Sequence, residues 1–408
     1  MEKKFRLGTV LAFAAAAAAV TFVVTFLLVQ WQFNSKLEDR AALDKELSKY
    51  IEARTDIEKS FVGDYTEEEL LDGAVKGMVD GLGDRWSHYL SAEEYESYQE
   101  NINNKYVGIG AVIDAKDTET GFHITKVYPN SPAQEAGLAA GDTITAVNGV
   151  LISDMEYDTA TAAIRGEAGT TVDLTVTKAD GSEVKATGVV RRAVNIPVVS
   201  TELLDGNIGL ITIDNFDDNS DQETEQAINR FINSGVTGII FDVRNNPGGQ
   251  LSELLDLLDF ILPEGTTFIS RDKAGNEKTY TSDASCIEIP MAVLVNASSY
   301  SAAEFFAAAL QEYNWATVVG EQTFGKGYSQ IPIRLSDGSA IILSTNEYFT
   351  PHGVSLIGTG LTPDYPVEMS EEDQTKLQAG TLSRDQDTQL QKALAVVKEK
   401  ASQAVTIS

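Results

Sequence analysis

One cysteine and three histidines are all that this 408-residue chain has of the residues most used in disulfides, metal sites and acid–base catalysis. Cys286 has no cysteine to pair with, which excludes an intrachain disulfide, and a lone thiol makes no metal site; it reads as a small buried apolar residue. Positive charge is also scarce. Against 61 Asp and Glu stand 31 Lys and Arg, and the net charge of −30 argues against nucleic acid as a partner. A further absence is a single letter. Residues 318–335, VVGEQTFGKGYSQIPIRL, contain Gly320-x-x-x-x-Gly325-Lys326, but Gly327 stands where a nucleotide-binding P-loop needs Ser or Thr for Mg²⁺. The residues after it include Pro332 and alternate apolar with polar, which predicts a strand where a P-loop needs a helix. An NTPase is set aside, neither metal nor cofactor is implied, and a lysine in a glycine turn is left to explain.

The N-terminus predicts a location. Lys3, Lys4 and Arg6 precede Leu7–Val29, 23 residues without a charge. A helix of that length spans roughly 35 Å, enough for a hydrocarbon core of about 30 Å, and it exceeds the apolar region of about 7–15 residues usual in a cleaved signal. The expectation is a single-pass anchor over 7–29 in a bacterial-type cell membrane, with residues 1–6 cytoplasmic and the rest extracytoplasmic. Residues 30–100 read as helical. Leu37, Leu43, Leu47, Ile51 and Ile57 recur at helix-like spacing, and Thr66 with Glu69 fits a capping box. Two readings fit this region, an amphipathic hairpin on its own domain or an arm for a homodimer.

Residues 101–190 change to short alternating runs between glycine turns, interrupted by SPAQEAGLAAGD and YDTATAAIRG. This order resembles a PDZ domain, most clearly in NSPAQEAGLAAGDTITAVNGV. Gly108, Ile109, Gly110 and Ala111 lie where that family has its carboxylate-binding loop, whose backbone N–H groups hold a chain terminus while the sheet edge takes the peptide as a strand. A plain turn is the alternative for these four residues. Residues 191–370 alternate strands and helices, as in an α/β domain with a largely parallel sheet, and 371–408 read as a helical C-terminal tail. The expected fold class is α/β multidomain: a transmembrane helix, a helical N-terminal region, a PDZ domain and an α/β core.

Ligands in such cores sit beyond the carboxyl ends of the strands. Two polar turns fall there, RNNPGGQ at 244–250 and NASSYSAAE at 296–304. Ser301-Ala302-Ala303-Glu304 has the spacing of a capping box, and on spacing alone that reading leads. A nucleophilic serine needs a base. His88, His123 and His352 are the only histidines, none in a setting that suggests acid–base work, and no G-x-S-x-G elbow exists. Lys326, with no acidic residue within four positions, suits a base whose pKa burial lowers.

At this point the chain resembles the C-terminal processing (tail-specific) proteases from about residue 60 to 370. The resemblance rests on AVKGMVDGLGDRWSHYLSAEE, DVRNNPGG, VLVNASSYSAAE, VVGEQTFGKGYSQ, STNEYFTPHG and GTGLTPDYPVE. It implies a serine endopeptidase with Ser301 as nucleophile, Lys326 as general base and Gln330 orienting the lysine. It also implies an oxyanion hole from the Ala302 N–H with that of Gly248 or Gly249. The pattern departs at Tyr300, where the family usually has a small residue. For Gln330 an exposed strand residue is the alternative, and Arg165, a candidate coupler of the PDZ domain to the core, is as a bare observation more often a surface charge. The expected function is a membrane-anchored, extracytoplasmic protease acting on proteins with exposed C-termini; the alternative is a non-catalytic PDZ scaffold that delivers tails.

Overall fold

The computed structural model describes residues 44–114 and 120–407, apart from position 46, together with positions 21 and 24–26. The chain divides after Leu71 into two compact units. In the first, residues 47–60 are helical. The Thr66–Glu69 capping box forms as expected: the Thr66 N–H donates to Glu69 at 2.6 Å and the Glu69 N–H to the Thr66 hydroxyl at 3.1 Å, opening the helix Glu67–Asp80. Leu47, Ile51 and Ile57 remain exposed, and nothing supports the homodimer arm.

The membrane anchor is corrected. Among the described residues no helix is long and apolar enough to cross a membrane, and most of Leu7–Val29 lies outside them. The longest described helix, Thr388–Ile407, carries Lys392, Lys398, Glu399 and Lys400 and packs on protein. The expected single-pass, extracytoplasmic placement loses its support with the span.

In the second unit, residues 105–195 form an antiparallel sheet in the order Ala111–Asp114, Phe122–Val127, Thr143–Val147, Thr171–Thr177, Glu183–Val190, with a small ribbon of Lys105–Gly108 and Arg192–Asn195. Period-two burial explains it: Val172, Leu174 and Val176 point inward beside Phe122, Ile124 and Ile144, and their neighbours point out.

The larger body is built on six strands that lie side by side in chain order: β1 (Val199–Leu204), β2 (Ile208–Ile213), β3 (Gly238–Asp242), β4 (Met291–Val295), β5 (Ala316–Gly320) and β6 (Tyr365–Pro366). Only β1 runs antiparallel. β3, β4 and β5 are buried along their whole length, as expected of parallel strands covered on both faces. Alternate residues feed two cores. Ile239, Phe241, Met291, Val293 and Val295 face α1 (Ser220–Asn233), α2 (Leu251–Ile261) and α3 (Ala302–Glu312). Ile240, Ala292 and Leu294 face α4 (Thr388–Ile407) through Leu390, Ala393, Leu394 and Val397. The stretch expected as a tail is therefore one wall of the core. Arg244, 1% exposed at its side chain, fixes α4 by bidentate pairing with both Asp242 and Asp387.

A second, wholly antiparallel sheet stands beside this one and escaped the sequence reading. His88–Leu90, Ala340–Phe349, Gly265–Asp272 and Glu277–Ser282 pair in that order, and Tyr328–Arg334 pairs with Ala340–Phe349. The strand His88–Leu90 interrupts a region expected to be helical.

Candidate active site

Asp242 pairs with Leu294, so β3 and β4 end together and the turns 244–250 and 296–301 leave the sheet at one edge. They are tied to each other. The Asn245 N–H donates to Asn296 Oδ1 and Asn296 Nδ2 to Asn245 Oδ1, each at 2.9 Å, while the Ser299 hydroxyl donates to the Val243 carbonyl at 2.7 Å.

Ser301 ends the second turn with φ 59° and ψ −127°, a region that side chains rarely enter. The expected capping box forms: the Ser301 N–H donates to Glu304 Oε2 at 3.0 Å, and the Glu304 N–H also reaches the Ser301 carbonyl at 2.9 Å. The cap does not take Ser301 out of reach, for it lines a cavity of about 650 Å³. Gly248 lies against this turn. A Cβ there would come within 2.7 Å of Ser301 Cβ and 2.8 Å of the Ala302 nitrogen, and its φ of 87° favours glycine as well.

Lys326 reaches the same cavity from the loop after β5. The piece that joins the loops is Glu304, fully buried at the start of α3. Its Oε1 accepts from the Gly325 N–H at 2.7 Å and from the Thr323 hydroxyl. Its Oε2 accepts from the Lys326 N–H at 2.9 Å as well as from Ser301. Burial pushes the Glu304 carboxyl up, and these four hydrogen bonds pull it back only in part. At Gly325, φ is 90° and a Cβ would lie 2.9 Å from the Gly360 nitrogen, so the turn needs glycine.

Burial lowers the Lys326 amine to about 8, against the pull of Glu304 and Asp84 and with help from Arg85. Nζ lies 4.3 Å from the centroid of the Trp86 ring and 5.8 Å from that of Tyr300. Gln330 follows a bulge in Tyr328–Arg334; its Nε2 donates to the Tyr328 carbonyl at 3.1 Å and to Ser344 Oγ at 3.0 Å. Among the described residues no hydrogen bond links the side chains of Ser301, Lys326 and Gln330, a common condition of a site without substrate. Yet Ser301, Ala302, Gly248, Gly249, Lys326 and Gln330 all line one cavity. No histidine does; His88, His123 and His352 are exposed elsewhere. Among the described residues Asp217 is the one acid on the wall, its carboxyl raised to about 7 by burial and then by Asp218.

The chain that carries this site is similar to known proteins over most of its length. A Staphylococcus aureus protein described as a CtpA-like serine protease is 32% identical over 371 residues, 90% of this chain and 73% of its own. A Staphylococcus epidermidis protein of the same description is 31% identical over 352 residues, 85% of this chain and 70% of its own. The chain belongs to the C-terminal processing proteases of peptidase family S41. Residues 207–367 match peptidase family S41, 123–178 a PDZ domain, and 15–94 the N-terminal domain of the activating protease CtpB. A solved structure from Bacteroides fragilis, described as an S41 protease, shares the fold at a TM-score of 0.50 and 20% identity, covering 83% of this chain and 92% of its own. The protein is thus a serine-type C-terminal processing peptidase that carries a PDZ domain, and the scaffold alternative falls.

The PDZ loop borders a second cavity of about 500 Å³, lined by Gly108, Ile109 and Ala111 on one side and by Thr161 and Ile164 of the helix Tyr157–Ile164 on the other. The Ile109 and Gly110 carbonyls accept from the Ala133 and Tyr128 N–H groups at 2.7 and 2.9 Å, holding the loop from behind. Ala111–Asp114 is an edge strand of its sheet. Arg165 lies on this groove with its guanidinium 5.9 Å from the Tyr106 ring, so its described contact is beside the PDZ loop and not in the protease core. Cys286 is half-buried. The sequence reading missed Glu304 as the link between loops, and it missed Trp86. The only signal for either was the Ser-x-x-Glu spacing and the quoted GDRW, neither of which says what the far side touches.

Proposed function

We propose that this S41 peptidase cleaves by a Ser301–Lys326 mechanism and selects proteins by their C-terminal tails. The neutral Lys326 amine takes the Ser301 hydroxyl proton as Oγ attacks the scissile carbonyl carbon. The tetrahedral intermediate expels the peptide amine, which receives that proton from the lysine, and water, deprotonated by the same amine, then releases the acyl group. Gln330 orients the amine through its carbonyl oxygen, its Nε2 being held by Tyr328 and Ser344. For the oxyanion, the Ala302 N–H at the start of α3 is one donor. The Gly248 N–H already goes to Asn246 Oδ1 at 2.8 Å. The Gly248 carbonyl accepts from Phe216 at 2.8 Å, and a trans peptide turns the Gly249 N–H the opposite way, which makes Gly249 the second donor.

The observation that carries the reading is a lysine amine lowered to about 8 in a serine-lined cavity whose wall has no histidine. The base is neutral above its pKa, so kcat/KM rises with pH through about 8. The test is the pH profile of a chain with His88, His123 and His352 all replaced. Persistence of the rising limb supports lysine, and its loss transfers the role to a histidine.

Tail selection rests on the loop Gly108–Ala111 beside an open strand edge. Backbone donors there favour a carboxylate over a neutral amide. Amidating a peptide's C-terminus is expected to weaken binding by roughly 1.5–3 kcal/mol, as for a hydrogen bond to a charged group, and to slow cleavage accordingly. Paired titrations and turnover assays on one peptide with acid and amide ends decide it. Equal binding and cleavage would make the PDZ domain a structural insert.

A further inference from the structure

From the contacts of the Lys326 amine we infer that Trp86 is a positioning residue for the catalytic lysine, holding it on its ring face as an ammonium and releasing it when neutral. The inference rests on the reading of Lys326 as the base. Nζ is 4.3 Å from the Trp86 centroid, well within the range of a cation–π contact, and Trp presents the strongest such face. Tyr300 adds a second ring at 5.8 Å. The rings brace one another: Trp86 lies 6.0 Å from Tyr300 and 5.8 Å from Phe324, and Tyr300 and Phe324 are 5.6 Å apart. Tyr300, the departure from the family's small residue, is thus part of the amine's surroundings.

The turn that carries the Trp86 ring is held in place. The Trp86 backbone N–H donates to Asp84 Oδ1 at 3.2 Å, and the next residue, Ser87, is buried and accepts from the Ser344 N–H at 3.0 Å. Ser344 Oγ in turn accepts from Gln330. The turn that presents the ring and the side chain that orients the amine therefore hang on one residue of the strand Ala340–Phe349.

A ring face attracts the ammonium and not the amine. The contact thus opposes the burial that lowers Lys326 and retains the proton until the pH, or a substrate, removes it. Once neutral, the amine loses its attraction to the ring and is free to meet Ser301, and the proton it then accepts restores that attraction. Other charges act on the same nitrogen: Glu304 and Asp84 hold the proton, and Arg85 repels it. The Arg85 guanidinium also lies 4.6 Å from the Trp86 ring and competes for it.

The experiment replaces Trp86 alone, in the full chain, by tryptophans of increasing fluorination, which drain the ring face and preserve its shape. Two readouts are taken, the rising limb of kcat/KM and the titration of Lys326 followed by ¹³C NMR at its Cε. Both midpoints are expected to move to lower pH in step with fluorination, by roughly 0.4–1.5 units over the series. Midpoints that stay fixed in the NMR titration overturn the role of Trp86. A moving NMR midpoint beside a fixed kinetic limb leaves the ring contact standing and sinks Lys326 as the base. Loss of activity with both midpoints fixed means a merely structural tryptophan.

Discussion

Peptide hydrolysis is expected to fall by roughly 10⁴-fold or more in each of Ser301→Ala, Lys326→Ala and Lys326→Arg, with the fold intact. The arginine variant is the decisive one. A guanidinium keeps positive charge and length in the loop after β5, yet it stays protonated above pH 12 and cannot take a proton from Ser301. Charge placement alone would leave this variant partly active; a requirement for a neutral nitrogen leaves it inactive at every pH. Retained hydrolysis in Lys326→Arg would sink the Ser–Lys assignment, and circular dichroism with thermal melts checks that inactivity is not unfolding. Effects of residues that act as one unit do not add, so the Ser301→Ala, Lys326→Ala double variant is expected to be no worse than either alone.

How much of this was legible in the sequence depends on the range of the interaction. β3 and β4 read plainly as buried strands, because burial on both faces writes a continuous apolar run into the sequence. The 171–177 strand read as plainly, because one wet face writes an alternation. The strand His88–Leu90 did not, since three residues carry no period and its pairing to Ala340–Ile342 is set by a partner far along the chain. The same distance hid α4. Its heptad-like apolar residues show a helix, but only the fold shows that Asp387 would meet Arg244. An apolar run before residue 30 suggested a membrane span on length alone, which is a statement about a segment by itself. At the site, the absence of acids within four positions of Lys326 is correct along the chain and incomplete in space, where Glu304 and Asp84 both act on the amine. Ser301 and Glu304 were legible as a pair. The second role of Glu304 was not, because its other partners lie on a loop after the next strand.

That second role predicts the other large effect. Glu304 is one buried carboxylate with four donors, from Ser301, Thr323, Gly325 and Lys326. Glu304→Ala leaves three backbone N–H groups and a hydroxyl without their acceptor where Glu304 and Thr323 are buried, and is expected to destabilise the protein by roughly 3–5 kcal/mol, within the range for breaking one side of a buried charged network. Glu304→Gln separates stability from catalysis. It fills the same volume but offers one acceptor oxygen, so the two donors at the other position, the Ser301 and Lys326 N–H groups on one side or the Gly325 N–H and the Thr323 hydroxyl on the other, meet an NH₂. The two loops that Glu304 now joins would part by a fraction of an ångström to an ångström. Displacements of that order cost about 10²-fold in rate when they separate a nucleophile from its base. Glu304→Gln is accordingly expected to lose at least about 10²-fold in kcat, with KM for a tail peptide little changed because the PDZ groove is untouched. Denaturant titration measures the first quantity and steady-state kinetics the second. Near-normal kcat in a Glu304→Gln protein of normal stability would mean that the Ser301 turn and the Lys326 loop find their places without this carboxylate, and that its burial serves the core alone.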